Sequence, residues 1–359
     1  MVSVGTRYWF LINVIFLLQA CGPSADQRGE IIPPKSIYKL PQRPEIVVSY
    51  ITQLLKESDG AQLYFLRARA YFQLRDYAHA ASDIQKALSK SPGDVDYLLL
   101  SVKINNQLGR FSKSIEEAKS LELAGLSSPM LYLELSELHL ASNAKRMAAS
   151  YLQKAMAAGI PSTEKSYADY LARMTRGDSL QALQFISSKD LNHPMLSRAY
   201  FAYQLPRMSH LTYQKSILAE IKKYPFDPYL LLNWGRFLVQ LHQYDRGEKV
   251  FLNVLPKLPQ NPVLIIEVGE FYTRLRNYKQ ALYYLNQIPK QSGLYKDALY
   301  NRALTYLNMG QKSRSLAILD SGQREFVSDL RFIQLRDRLL GKRVDSTAIK
   351  VDSTVQKSD

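Results

Sequence analysis

The chain has 359 residues, 46% of them hydrophobic, with one cysteine and a formal net charge of +15. One cysteine excludes an internal disulfide framework and any multi-cysteine metal or cluster site. The length suits two or three globular domains or a single array of repeats, and the basic residues are spread along the chain, as on a solvated basic surface.

Met1 to Ala20 carries one charge, Arg7, followed by an apolar run from Tyr8 to Leu18 broken only by Asn13. The run is short of the roughly 20 residues that span a bilayer and predicts a signal peptide over residues 1–20. Its end, Leu18-Gln19-Ala20-Cys21, resembles the lipobox of bacterial lipoproteins, with Gln19 where a small or branched residue is usual. The resemblance implies cleavage before Cys21, diacylglycerol on its sulfur and acylation of the freed amine. Gly22 in place of an acidic residue implies sorting to the outer membrane, and the isolated Asp26 implies a periplasm-facing position. Residues 21–43, with Pro23, Pro33, Pro34 and Pro41, predict a tether that reaches roughly 65 Å when extended.

Pro44 opens a predicted helix over 44–58 with Ile46, Val47, Tyr50, Ile51, Leu54 and Leu55 on one face, a cover for the exposed end of the helical array. Ala61 to Asp94 then reads as two amphipathic helices joined at Arg75-Asp76-Tyr77, with Ala68, Ala80 and Ala87 on the facing stripes and Pro92 as the stop. This pattern resembles the tetratricopeptide repeat, which places small residues at positions 8, 20 and 27 and proline at 32. A single copy cannot bury its apolar faces, so the resemblance implies an all-α, right-handed solenoid of about eight such units.

The same 34-residue period runs through 61–162 as three repeats and through 228–329 as three more. The 65 residues between them fall three short of two periods. Thr163 to His193 is predicted as a trimmed copy and Pro194 to Asp227 as a degenerate one, together a bend over 163–227. Residues 330–341 predict a closing helix, and 342–359, with Val-Asp-Ser-Thr twice, predict a disordered tail.

Gly177-Asp178-Ser179-Leu180 and Asp190-Leu191-Asn192-His193 spell the nucleophile and Asp-x-x-His motifs of the GDSL esterases. That family separates the two motifs across an α/β domain, with an oxyanion asparagine block between them; neither the separation nor the block occurs here. Gly177 instead occupies repeat position 15, as Gly109 and Gly310 do, which predicts a left-handed cap, with Asp178 and Ser179 starting the next helix. His79, His139, His193, His210 and His242 share no ligand spacing, and no phosphate loop or dinucleotide fingerprint occurs. No catalytic residue, metal or cofactor is therefore expected.

The resemblance implies that the first helix of each copy lines the concave face, where positions 5, 9 and 12 offer partner-binding candidates: Phe65, Arg69 and Phe72, Lys103 and Asn106, Glu137, Leu232 and Arg236, Ile266 and Glu270. Such a groove suits an amphipathic helix or extended peptide, while Lys103 with Glu137 and Arg236 with Glu270 are also placed to pair across the stack. The function expected is a non-catalytic scaffold, lipid-anchored to the outer membrane, with other envelope proteins and an anionic membrane surface as partners and no nucleic acid. A carbohydrate-binding lipoprotein serving a nutrient transporter is the alternative.

Overall fold

The structure, a computed structural model, describes residues 43–341 apart from 143, 187 and 328. The predicted leader, Cys21, the tether up to residue 42 and the tail 342–359 lie outside the described residues. Among the described residues there are 18 α-helices and no strand, and no helix is long and apolar enough to cross a membrane.

Helix α1, Pro44–Glu57, precedes eight antiparallel pairs. Unit 1 pairs α2 (Ala61–Gln73) with α3 (Tyr77–Lys90), unit 2 α4 (Val95–Gln107) with α5 (Phe111–Leu123), and unit 3 α6 (Pro129–Ala141) with α7 (Lys145–Ala157). Unit 4 pairs α8 (Lys165–Arg176) with α9 (Ser179–Phe185), and unit 5 α10 (Pro194–Gln204) with α11 (His210–Lys223). Unit 6 is α12 (Pro228–Gln240) with α13 (Tyr244–Val254), unit 7 α14 (Pro262–Arg274) with α15 (Tyr278–Leu285), and unit 8 α16 (Tyr295–Asn308) with α17 (Lys312–Glu325). Helix α18, Leu330–Leu339, packs Phe332 and Leu335 onto unit 8.

Small residues hold most of the pairs together, unit 5 excepted, where Phe201 and Tyr213 meet edge-on at 6.0 Å. Ala68, Ala80 and Ala87 are fully buried in unit 1. Where serine replaces alanine, its hydroxyl donates across the pair to a carbonyl, Ser114 to Val102, Ser136 to Ala148 and Ser315 to Ala303 at 2.7–2.9 Å, so the polar group is buried with its partner. In unit 7 the approach is closer still, since a Cβ on Gly269 would stand 2.6 Å from the Leu285 side chain.

The turn inside the pair is left-handed at Arg75, Gly109, Gly177, His242, Arg276 and Gly310, with φ between 58° and 92°. Gly177 closes α8 in this way, its amide and that of Asp178 bonding back to the last turn. Asp178 takes the N-cap position of α9 without a side-chain cap bond. Helix α9 has only 7 residues, and a 3₁₀ turn over Ser188–Asn192 leads directly into unit 5.

The stack curls back on itself. The turn of each of the first three units meets the loop that enters the unit five places later. Arg75 Nη1 donates to Asp227 Oδ2 at 2.6 Å, Gly109 lies against Asn261 so tightly that a Cβ would come within 2.5 Å of its amide, and Gly293 lies against the Ser142 backbone. Tyr229 adds a bond of 2.5 Å to the Gln107 carbonyl and accepts one from Asn261 at 2.8 Å. A single apolar core consequently joins Ala68, Ile84 and Ile104 of the first turn of the superhelix to Leu232, Phe251 and Phe271 of the second.

Candidate functional site

Closing the superhelix divides its inner face into a sealed part and an open part. The sealed part is the axis enclosed by units 2 to 6. Asn106 donates to Glu134 at 2.9 Å, the Tyr167 hydroxyl donates to Glu137, and Arg198, stacked 3.6 Å above the Tyr229 ring, reaches Gln107 from across the axis. Burial first, and then the charge of Glu134, push the Glu137 carboxyl up to about 7. Burial, with Arg75, Arg198 and Lys103 nearby, pushes His193 down to about 3. These groups bond to or stack on one another.

The open part runs along α10, α12, α14 and α16. Ala202, Leu205 and Pro206 form one end of a cavity of about 490 Å³ that continues over Arg236, Val239, Gln240, Glu267, Glu270, Phe271 and Arg274. A second hollow of about 310 Å³ shares Glu270 and Arg274 and extends the groove to Asn301, Leu304 and Asn308. The walls are apolar and the charges are bonded in place: Arg236 to Glu267 and to Asn233, and Asn301 to Glu270 at 2.8 Å. Burial, reinforced by Glu267, raises the Glu270 pKa. Arg274 makes no hydrogen bond or ion pair among the described residues and is exposed, so it is a cation available to an occupant.

The ten candidates from the sequence fall into different environments. Arg236 and Glu270 line the groove. Leu232 and Ile266 are buried in the apolar core, and Asn106 and Glu137 are buried at the axis, with Lys103 half-buried beside them. Phe65 is half-buried and stacks on Tyr97 at 4.7 Å, Phe72 packs edge-on to Tyr77, and Arg69 alone of the first three is exposed. No single surface brings all ten together.

The expected ion pairs are corrected by one helical turn. Arg236 meets Glu267 rather than Glu270, Glu270 meets Asn301, and Glu137 meets Tyr167 rather than Lys103. Neighbouring helices are staggered, so position 9 of one unit opposes position 5 or 6 of the next. The same stagger explains which groove residues sequence reasoning missed. Glu267, Arg274, Asn301 and Asn308 stand at positions 6 and 13, beside positions 5, 9 and 12. Their three-to-four spacing with Glu270 and Leu304 is the signal that marks the face.

Among the described residues no group of three or more His, Cys, Asp or Glu side chains could hold a metal ion. A relay through Ser179, Asp190 and His193 would need the His193 ring bonded on both nitrogens, and its Nδ1 has no partner. Ser179 is the first residue of α9. The ring of His193 stacks on Tyr167 at 4.1 Å, with Nε2 3.6 Å from Glu164 and Nδ1 unbonded.

Residues 61–94 match the family model of the tetratricopeptide repeat. No curated protein matches the chain. The Cut9–Hcn1 hetero-tetramer of the APC/C contains a similar fold, at 16% identity and a TM-score of 0.55 over 82% of this chain and 58% of that one. This chain thus spans less than two thirds of that relative, and at this identity the likeness concerns the fold. YrrB, described as a TPR protein with an unusual peptide-binding site, matches at 13% identity over 72% of this chain and 99% of that one, with a TM-score of 0.28. A tetratricopeptide repeat protein from Parabacteroides merdae matches at 12% identity over 78% and 98%, with a TM-score of 0.31.

Proposed function

We propose that the protein is a non-catalytic interaction scaffold that holds a peptide or helical segment of another envelope protein in the groove of α10, α12, α14 and α16. The observation that carries this reading is the groove itself. It crosses four consecutive inner helices, with apolar walls, internally bonded carboxylates and the free cation Arg274 at its rim. An extended or helical segment would bury apolar side chains against Leu205, Val239 and Leu304 and place a carboxylate near Arg274. Lipid on Cys21 would hold the scaffold at the periplasmic face of the outer membrane, with the proline-containing segment as its tether.

A photo-crosslinking residue at position 240 or 274 in intact cells tests the groove. Capture of one envelope protein from these positions, and not from position 69, is the expected result. Equal capture from position 69, or binding to a glycan array with no protein captured, would overturn the groove reading, the latter in favour of a carbohydrate-binding lipoprotein. Labelled palmitate should enter the wild-type chain and not Cys21→Ala, and failure to label the wild type removes the anchor.

A further inference from the structure

The outer helices of units 5 and 6 carry exposed leucines at a recurring spacing from exposed lysines. Helix α11 buries Tyr213 and Ile217 against Phe201, Leu230 and Phe237. At 3.6 residues per turn the opposite face is an arc of about 60° holding Leu211, Lys215, Leu218 and Lys222. Leu211 is 63% exposed and Leu218 40%. Lys215 and Lys222 make no hydrogen bond or ion pair among the described residues, and the one acid of the helix, Glu220, lies on the buried side.

The Lys-x-x-Leu of Lys215 and Leu218 recurs one period later as Lys249 and Leu252 on α13, both exposed. The two helices are the outer members of adjacent units, so the pairs stand side by side. At the equivalent positions the other units show polar or small residues, such as Ser82 and Gln85, Ser150 and Gln153, or Ala317 and Asp320, or the uncharged Tyr283 and Asn286. A solvated helix face needs no leucine, and leucines set among lysines are the composition of a helix that lies in a membrane interface. Asp245, one turn before Lys249, shares this face, and Glu248 beside it is half-buried and accepts from the Tyr272 hydroxyl.

We infer that this face, Leu211, Lys215, Leu218 and Lys222 with Lys249 and Leu252, docks on an anionic phospholipid surface. The leucines enter the headgroup layer and the lysines pair with lipid phosphates. The inference rests on the proposed anchor for its membrane and fixes what the anchor leaves open. A tether alone leaves the scaffold free to rotate, whereas this contact would seat it with the outer helices of units 5 and 6 against the bilayer and the groove, on their inner helices, turned away from it.

The test uses the purified, processed full-length protein on vesicles of phosphatidylcholine alone or mixed with phosphatidylglycerol, with lysine acetylation read by mass spectrometry. Lys215, Lys222 and Lys249 should be labelled several-fold less on the anionic vesicles, Lys119 equally on both, and about 0.5 M salt should restore labelling. Leu211→Ser with Leu218→Ser should abolish the protection while flotation with pure phosphatidylcholine persists. Equal labelling on both vesicles, or protection that survives the leucine substitutions, overturns the proposed docking. Loss of flotation with phosphatidylcholine instead marks failure of the anchor, so the two failures are told apart.

Discussion

Arg75 is the residue whose loss should open the superhelix. Its side chain and that of Asp227 are 2% and 3% exposed. Besides the ion pair, the guanidinium donates to the carbonyls of Leu191 and Asn192 at 2.8 and 3.0 Å and lies 3.8 Å over the Tyr224 ring. Removing one partner of a buried pair costs about 3–5 kcal/mol. Asp227 still accepts from the amides of Tyr229 and Leu230 as the N-cap of α12, so part of its charge stays compensated and Arg75→Ala should fall near the lower end, about 3 kcal/mol. The backbone adds a second test, because Arg75 sits at φ 59°. Arg75→Gly loses the same contacts but relieves a left-handed conformation worth roughly 1 kcal/mol, and should be the milder change by about that amount. Urea unfolding followed by circular dichroism reads the totals. Amide exchange at Tyr229 and Leu230 localises the effect to the seam, which matters because a repeat array need not unfold in one step. If Arg75→Ala costs less than about 1 kcal/mol, or if exchange at the α12 N-terminus is unchanged, the seam does not hold the two turns together.

Gly269→Ala places a methyl 2.6 Å from the Leu285 side chain and should cost about 1–3 kcal/mol in urea unfolding. Arg276 occupies the same left-handed turn as Arg75 but is exposed and forms no seam, so Arg276→Gly should raise stability by roughly 0.5–1 kcal/mol. The axis predicts two opposed pH slopes. Glu137, raised from 4.5 to about 7, favours folding most at low pH and loses that contribution as pH rises through about 7. His193, lowered from 6.5 to about 3, adds stability as pH rises from about 3 to 6.5. The two offset each other between pH 4.5 and 6.5, so Glu137→Gln should expose a rising stability curve over that range and should stabilise at pH 8 but not at pH 4, a result that thermal melts at stepped pH would check.

The repeat could be read from Ala61–Asp94 because it is a local pattern: helix period, small residues at the crossing, and a turn at fixed offset all lie within one unit. The groove was legible only in part. Of the ten concave candidates Arg236 and Glu270 line it, six stand on α2, α4 and α6 away from it, and the stagger between neighbouring helices moves the face toward positions 6 and 13. A periodicity read within one helix contains no information about that stagger, which is set by how the large residues of two helices interlock.

The seam was not legible, and the reason lies in where its residues look ordinary. A non-glycine residue in the left-handed turn could mark a side chain committed to a distant contact, as with Arg75, but His242 and Arg276 occupy the same turn and are exposed. Asp227 and Asn261 both precede a proline and both cap a helix through two amides, so each has a complete local explanation. The seam contact is their second task. What brings it about is cumulative: only after five units have stacked do the loops entering units 6, 7 and 8 meet the turns of units 1, 2 and 3. Closure then fixes where a partner can enter. The inner helices of units 2 to 4 use their polar side chains on one another, and the inner helices of units 5 to 8 keep the open face. If the proposed groove is the recognition site, such a scaffold has its closed seam at one end of the stack and its recognition at the other, so substitution of Arg274 should change partner capture without altering the melt, and substitution of Arg75 should alter both.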